Sequence, residues 1–353
     1  MISLPIISSR YLKPAFELVE DSSSFLGYLH KASLPPILPD YPSFIPLFAA
    51  FEVYKSIVCQ LGLEHTLKRL VSIANEGSLF DDCKILLPLS CPSPPARILP
   101  QWISIIRHSN CDSASTNLED DQYWFIFRTC RHYKDTFLQD MIEIGWLQLA
   151  ISCLIPGFVP KRFRIRASGN KERKLWTKAH ISAPVEFSHH SIAVEISEKD
   201  LVFQSPINQH ARSISEKESS VLVAGPIPNS FSESLIAILM TYHTDRWLSI
   251  EDFAEITNTS ARSIQRYLLE SGTSFRKIAI ETKIRLAKKA LEHSNTSISK
   301  IALDLGFSAP SSFTRCFVNF TGIPPIEYRR LAKESTSNDL LCDSPGLADT
   351  GEM

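Results

Sequence analysis

Residues 297–329 read SISKIALDLGFSAPSSFTRCFVNFTGIPPIEYR, and residues 249–268, which read SIEDFAEITNTSARSIQRYL, repeat the beginning of this pattern. In each copy a short apolar segment with helical spacing leads to a residue that tolerates a left-handed backbone, Asn258 in the first and Gly306 in the second. A second helical pattern follows each of these turns. Two helices joined by a tight turn form a helix-turn-helix, so the repeat predicts two such units.

Serines stand where each of the four predicted helices begins. Ser249 and Ser297 are suited to cap the first helix of each unit, and Ser260 and Ser308 are suited to cap the second. Asp252 occupies the capping-box position of the first helix. The helix starts are therefore predicted from side chains as well as from apolar spacing.

The second helix of each unit is predicted to have a buried face and an exposed face. The apolar positions that face the core are Ile264 and Leu268 in the first unit and Phe313 and Phe317 in the second. The opposite face has short polar or forked groups that are able to reach base edges in a DNA major groove. These are Arg262, Ser263, Gln265 and Arg266 in the first unit and Pro310, Ser311, Thr314 and Arg315 in the second.

A continuous helical pattern joins the two units. It extends from Ser274 to His293, which corresponds to a helix about 30 Å long. Successive major-groove faces of B-DNA are about 34 Å apart, so this spacing predicts that both second helices contact one duplex. The alternative for the exposed arginines is a solvated surface position, and Arg315 could instead pair with Asp304.

The segment from Ser249 to Arg330 closely resembles the DNA-binding domain of AraC/XylS-type transcription regulators, in which two helix-turn-helix units are joined by a long helix. The most specific part is the second-unit motif, formed here by residues 301–308, 313–317 and 321–329. The resemblance implies that bases are contacted through Arg262, Gln265 and Arg266 in the first unit and through Ser311, Thr314 and Arg315 in the second.

Two positions depart from the pattern of that family. Pro310 has no side-chain donor where many members have a polar group. Val318 stands where a lysine or arginine is common and would help to hold a phosphate. The second unit is therefore expected to bind DNA less strongly than the first.

The amino-terminal part is predicted to be an α+β domain. Helical patterns occur at Phe44–Leu61 and Tyr123–Leu154, and apolar residues alternate with polar ones between Phe158 and Val202, as in half-buried strands. Residues 20–205 resemble the arabinose-binding-type sensing domain of one branch of the AraC/XylS family, also found in ornithine-utilisation regulators. The segments with this resemblance are Pro156–Ile165, Ile181–Phe187 and Val194–Ser197. It implies a small-molecule effector and a homodimer formed through this domain.

Aromatic residues and histidines of this part are expected to be structural. The aromatic residues are expected in the core rather than around a ligand; they are Trp124, Phe125, Phe127, Trp146 and Trp176. His132, His189 and His190 have no carboxylate or cysteine at a useful ligand spacing. Surface or loop positions are therefore expected for these histidines, and no metal site.

Four regions follow from these patterns. They are a ligand-sensing and dimerisation domain at 16–205, a linker at 206–230, a double helix-turn-helix DNA-binding domain at 231–333 and a disordered acidic tail at 334–353. The linker is polar and ends in GPIPNS, which favours an exposed connector, and the tail has too little apolar material to fold. The predicted fold is an α+β sensing domain followed by an all-α domain of two helix-turn-helix units joined by a long helix.

Composition excludes several classes of protein. The 37 lysines and arginines nearly balance the 38 aspartates and glutamates, and 44% hydrophobic residues is typical of a globular chain. Neither GxGxxG nor GxxxxGK[ST] occurs, the eight cysteines form no CxxC pair, and the start MISLPIISSR does not resemble a secretory signal. We therefore expect a cytoplasmic protein with reduced thiols that is not an enzyme and has no catalytic residue, cofactor or metal ion.

Together the patterns predict a bacterial, sequence-specific DNA-binding transcription regulator. We expect an activator that works with RNA polymerase and is controlled by a small-molecule effector bound to the amino-terminal domain. The alternative is a DNA-binding regulator that responds to a protein partner or to thiol oxidation. An enzyme with a DNA-binding appendage, such as a repair alkyltransferase, would need a zinc-binding cysteine cluster or an activated cysteine, and the sequence suggests neither.

Overall fold

The computed structural model describes residues 4–19, 21–36, 43–76, 107–108, 113–119, 121–128, 136–155, 157–201, 228, 230–243 and 245–342. The chain divides into two compact units, Met1–Ser271 and Gly272–Met353. The first contains strands and helices, and the described part of the second is helical. Most of the predicted linker lies outside the described residues, so its exposed conformation stays a prediction.

Two sheets lie in the first unit. Their strands are β1 Ile6–Ser8, β2 Phe44–Pro46, β3 Arg107–His108, β4 Ser113–Glu119, β5 Gln122–Arg128, β6 Phe163–Arg164, β7 Val185–Glu186 and β8 Ile192–Ile196. The first sheet is antiparallel with the order β2-β1-β3, and the second has the order β4-β5-β8-β6-β7 with only β6 and β7 parallel. All five residues of β8 are buried, so this strand lies at the centre of the second sheet's core.

The helices of the first unit surround these sheets. After a 3-10 turn at Ser9–Leu12 they are α1 Lys13–Glu17, α2 Ser22–Lys31, α3 Leu47–Leu61, α4 Leu63–Glu76, α5 Thr136–Leu154, α6 Lys171–His180, α7 Glu198–Leu201, α8 Phe231–Tyr242, α9 Ile250–Ile256 and α10 Ala261–Glu270. Helices α4 and α5 pack closely at Gly145, where an added Cβ would lie 2.8 Å from Cδ2 of Leu67. A larger residue at this position would require the side chains of Leu67 and Leu70 to shift.

A buried ionic cluster joins α5 to the chain that follows β6. Nη2 of Arg166 lies 2.7 Å from Oδ1 of Asp140, and Oδ2 of Asp140 accepts the main-chain N–H of Ala167 at 2.7 Å. Glu143 lies 3.7 Å from Arg166 and accepts a hydrogen bond from Gln139 at 3.0 Å. Burial raises the pKa of Asp140, although Arg166 opposes this shift. Because loss of one partner would leave an uncompensated buried charge, the cluster holds α5 against the sheet.

Two of the predicted helical segments are each a strand followed by a helix. Phe44–Leu61 divides into β2 and α3, and Tyr123–Leu154 contains most of β5 and then α5. Short apolar runs do not distinguish a strand from a buried helix, and β5 is defined by its pairing with β4 and β8. The strands predicted between Phe158 and Val202 are confirmed as β6, β7 and β8.

Helix α8 packs within the first unit. It lies against β2 and against α10, and Leu235, Ile238 and Leu239 are almost completely buried. This packing places the first helix-turn-helix in the same compact unit as the amino-terminal residues. The domain boundary that the sequence predicts before residue 231 stays a prediction.

The described part of the second unit contains four helices, which are α11 Phe275–His293, α12 Ile298–Asp304, α13 Pro310–Thr321 and α14 Pro325–Cys342. Helix α11 is the predicted connecting helix, is capped by Ser274, and packs against α12 and α14. Helix α14 continues past Lys333, where the sequence predicts a disordered tail, as far as Cys342. An ion pair of 2.7 Å between Arg330 and Glu334, one turn apart, stabilises this continuation.

No helix in the described part of the chain combines the length and the apolar character that crossing a membrane requires.

Candidate DNA-binding surface

The first helix of the first unit, α9, begins with the predicted capping box. Oγ of Ser249 accepts the main-chain N–H of Asp252 at 3.0 Å, and Oδ2 of Asp252 accepts the main-chain N–H of Ser249 at 2.8 Å. The hydrogen bonds from Ser249 hold the pKa of Asp252 below its usual value. The turn after α9 contains Asn258 with a φ of 50°, so the predicted left-handed residue is confirmed.

The second helix of this unit, α10, is capped by Ser260. Its Oγ accepts the main-chain N–H of Ser263 at 3.1 Å and donates to Oγ of Ser263 at 2.9 Å. Ser263 is half-buried, and one acceptor position of its hydroxyl is used within the cap. This serine was predicted as a base contact, and its geometry gives it a structural role as well.

The two faces predicted for α10 are present. Ile264 and Leu268 are completely buried against the rest of the unit. Arg262, Gln265 and Arg266 are exposed. A helix held by its apolar face with two arginines and a glutamine on the other side has the form of a DNA-recognition helix.

Arg266 makes contacts that the sequence analysis missed. Its guanidinium carbon lies 5.1 Å from the centre of the Tyr267 ring, and Nη2 donates to the Tyr267 hydroxyl at 3.4 Å. Its Nε lies 4.0 Å from Oε1 of Glu270, one turn later. Arg266 and Glu270 are four positions apart on a helix, so the sequence could have predicted this ion pair. These exposed contacts are weak, so a base or a phosphate can replace them.

The second unit begins like the first and then differs. Oγ of Ser297 accepts the main-chain N–H of Lys300 at 3.2 Å, and Gly306 has the predicted left-handed backbone with a φ of 67°. The predicted cap at Ser308 is wrong, because the N-cap of α13 is Ala309 and makes no side-chain hydrogen bond. Pro310 is the first helical residue; its ring fixes φ at a helical value and forces the preceding residue into an extended conformation.

The buried face of α13 is aromatic. Phe313 and Phe317 are completely buried, as predicted. Their rings lie 5.6 Å apart, with Phe307 5.4 Å from Phe313 and Tyr328 5.5 Å from Phe317. The recognition helix of the second unit is therefore held between the turn and α14 by a continuous set of ring contacts.

The predicted residues on the polar face of α13 differ in exposure. Pro310, Ser311 and Arg315 are exposed, whereas Thr314 is half-buried. The Thr314 hydroxyl donates to the main-chain oxygen of Pro310 at 3.0 Å, so it can offer DNA only acceptor positions and its methyl group. Arg315 has no ion pair or aromatic contact among the residues that the structure describes.

Lys283 of α11 has a structural contact that the sequence did not predict. Its Nζ donates to the main-chain oxygen of Gly306 at 3.3 Å and lies 5.0 Å from the centre of the Phe307 ring. Partial burial lowers the pKa of this lysine. Lys283 therefore fastens the turn between α12 and α13 to the connecting helix.

The structure brings the predicted residues together as two sets, one on α10 and one on α13. The two helices belong to different compact units, so the predicted groove-to-groove spacing stays a prediction. Helix α11 itself has 19 residues and is about 28 Å long, close to the predicted length. Among the described residues, no group of three or more histidine, cysteine or carboxylate side chains could hold a metal ion.

Comparison with known proteins identifies the type of this domain. Residues 253–331 match the family model described as a helix-turn-helix domain. The transcriptional activator RhrA of Rhizobium meliloti is 38% identical over 86 residues, which cover 24% of this chain and 27% of RhrA. The ornithine utilization regulator of Pseudomonas aeruginosa is 36% identical over 80 residues, which cover 23% of this chain and 24% of that protein.

Two further proteins are similar to this chain over stretches of different length. The HTH-type transcriptional regulator RipA of Corynebacterium glutamicum is 37% identical over 104 residues, which cover 29% of this chain and 31% of RipA. The crystal structure of the transcriptional regulator CdpR from Pseudomonas aeruginosa aligns over 88% of this chain and 99% of that chain, with 17% identity and a TM-score of 0.32. The chain spans under a third of the length of these three curated relatives, all of which come from bacteria.

Proposed function

We propose that this chain is a sequence-specific DNA-binding transcription regulator of the AraC type, with α10 and α13 as its two recognition helices. The observation that supports this most directly is the repeated arrangement of a capped helix, a left-handed turn and a second helix with a buried apolar face and an exposed polar face. The named relatives, which are transcriptional regulators, support the same function.

In this proposal Arg266 of α10 and Arg315 of α13 make the main base contacts. A guanidinium group can form two parallel hydrogen bonds with O6 and N7 of guanine. Arg262, Gln265, Ser311 and Thr314 lie on the same two helix faces and add further base or phosphate contacts. Ser263 contributes to the cap of α10 and to the surface that faces DNA.

Selection of bound duplexes from random DNA with the full chain tests this function. We expect an enriched sequence with two half-sites about 10 base pairs apart, centre to centre, and binding that weakens as salt concentration rises. Arg266→Ala should relax base preference in one half-site, whereas Lys178→Ala, which removes an exposed positive charge from α6, should not. Binding without any sequence preference at moderate salt, by a folded chain, would contradict the proposal.

The proposal extends to the amino-terminal residues. They bind a small-molecule effector and form a homodimer, and the chain acts in the cytoplasm as an activator in contact with RNA polymerase. The similarity to RhrA, which is a transcriptional activator, supports the direction of regulation. Transcription in vitro with purified polymerase and a panel of metabolites, together with the mass of the full chain in solution, tests these statements. Transcription that falls when the chain is added would contradict activation, and a monomeric mass would contradict the homodimer.

One observation weighs against the alternative of thiol oxidation at α13. Burial raises the pKa of the Cys316 thiol, and the neighbouring Lys283 only partly offsets this shift. A raised pKa reduces the fraction of reactive thiolate, so Cys316 is poorly suited to sense oxidants. Cys316→Ser should therefore leave DNA binding and its response to peroxide unchanged. Replacement of all eight cysteines by serine tests thiol oxidation elsewhere in the chain, and insensitivity of DNA binding to that replacement would exclude the redox alternative.

A further inference from the structure

Strand β2 lies at the edge of the first sheet, and α8 covers that edge. The main-chain N–H of Phe44 points away from β1 and donates to Oγ1 of Thr241 in α8 at 3.0 Å. Thr241 is buried, and its hydroxyl donates in turn to the main-chain oxygen of Ala237 at 3.1 Å. An edge strand presents unpaired N–H groups that need a partner when they are buried. The threonine therefore satisfies a group that a further strand would otherwise pair with.

The opposite end of the same helix contacts the first recognition helix. Phe231, the first residue of α8, is buried, and the centre of its ring lies 5.4 Å from the centre of the Tyr267 ring in α10. Tyr267 is the residue against which Arg266 lies, with its guanidinium carbon 5.1 Å from the ring. A continuous series of contacts thus links the edge of the amino-terminal sheet to an arginine that is proposed to contact DNA.

Two polar side chains of α8 lack hydrogen-bond partners in the part of the chain that the structure describes. Oγ of Ser234 and the hydroxyl of Tyr242 are buried, and neither has a hydrogen-bond partner among the residues that the structure describes. Burial also raises the pKa of Tyr242, so this phenol stays neutral. Buried polar groups without partners destabilise the arrangement in which they occur.

We propose that α8 couples the amino-terminal sheet to the first recognition helix, so that regulation of DNA binding acts through α10. In the seated state the contact between Phe231 and Tyr267 holds α10 in place, and with it the exposed helix face that contains Arg266. Release of Thr241 from β2 loosens this contact and weakens binding at the half-site of the first unit. This inference rests on the proposed function, since it requires that α10 contacts DNA bases.

Thr241→Val tests the coupling in the full chain. The substitution preserves the shape of the side chain and removes the acceptor for the Phe44 N–H, whereas Thr241→Ser keeps that acceptor and is the matched control. We expect Thr241→Val to weaken binding to the first half-site about tenfold, with binding to the second half-site unchanged. Thr241→Ser should stay within about twofold of the natural chain. Equal weakening at both half-sites, or no weakening at either, would overturn the proposal.

A double-mutant cycle separates coupling from simple destabilisation. Arg266→Ala should reduce affinity by a smaller factor in the Thr241→Val chain than in the natural chain, whereas the factor for Arg315→Ala should be the same in both. Equal factors for Arg266→Ala in both chains would overturn the coupling.

Phe231→Leu tests the other end of α8 and does not depend on whether Thr241→Val folds. It removes the ring contact with Tyr267 and should also weaken the first half-site selectively. An unchanged first half-site in this variant would overturn the proposal. If the natural chain showed no sequence preference at all, the proposed function itself would fail, which is a different result from an uncoupled α8.

Discussion

The two helix-turn-helix units share one backbone pattern but are stabilised by different interactions. In the first, Ser260 caps the recognition helix, and the buried face of that helix is formed by the aliphatic residues Ile264 and Leu268. In the second, the recognition helix starts at Pro310 without a side-chain cap, and Phe313 and Phe317 belong to a set of aromatic contacts. The two units thus reach the same helix-turn-helix geometry in two ways. One uses a hydrogen-bonded cap, and the other uses a start fixed by proline together with larger apolar side chains.

The predicted DNA-contacting arginines differ as well. Arg266 lies against Tyr267 and near Glu270, whereas Arg315 is exposed and has no such contact among the described residues. In the proposed function Arg266 would exchange these weak contacts for contacts with DNA, whereas Arg315 would have none of them to lose. The weaker DNA binding that the sequence predicts for the second unit stays a prediction.

The largest expected effect is the loss of stability when a buried side chain of either helix-turn-helix unit is shortened. Phe317→Ala should destabilise the second unit by about 3–5 kcal/mol, because it removes a completely buried ring. Leu268→Ala should destabilise the first by about 2–5 kcal/mol. Urea unfolding followed by circular dichroism and by tryptophan fluorescence distinguishes the units, since all five tryptophans precede Gly272. Phe317→Ala should leave the fluorescence midpoint unchanged, and an equal shift in both signals would show that the units unfold in one step.

A smaller effect is expected from the two arginines. Arg266→Ala should reduce the binding free energy by about 1–3 kcal/mol and relax preference in one half-site. Arg315→Ala should act about one helical turn away and less strongly. Arg266→Lys and Arg315→Lys are the controls, because lysine keeps the positive charge but lacks the forked geometry of the guanidinium group. Footprints in which both alanine variants lose the same half-site would contradict the assignment of α10 and α13 to separate grooves.

The smallest expected effect is on stability, and it comes from the serines near the starts of the two recognition helices. Ser260→Ala should destabilise the first unit by about 1 kcal/mol, because the main-chain N–H of Ser263 loses its acceptor. Ser308→Ala should change stability by less than about 0.5 kcal/mol, because Ser308 does not cap α13. Thermal unfolding of both variants measures the difference. Similar losses would mean that Ser308 stabilises the turn by a contact other than a cap.

Structural features that depend on residues close together in the sequence were predictable from the sequence. The capping box of α9, the left-handed residues Asn258 and Gly306, and the extent of α11 all follow from interactions over a few residues. The buried and exposed faces of α10 and α13 follow from helical periodicity for the same reason. The sequence by itself therefore determined the two helix-turn-helix units and the candidate surface.

Features that depend on distant parts of the chain were decided only by the tertiary structure. Phe44 and Thr241, which fix α8 at the sheet edge, lie 197 positions apart, and the pairing of Arg166 with Asp140 joins a loop to a helix. The strand at Gln122–Arg128 exists because β4 and β8 pair with it, although the same residues also fit a helical pattern. Local periodicity specifies which face of an element is apolar. It does not specify which other element covers that face, because many distant segments offer similar apolar surface.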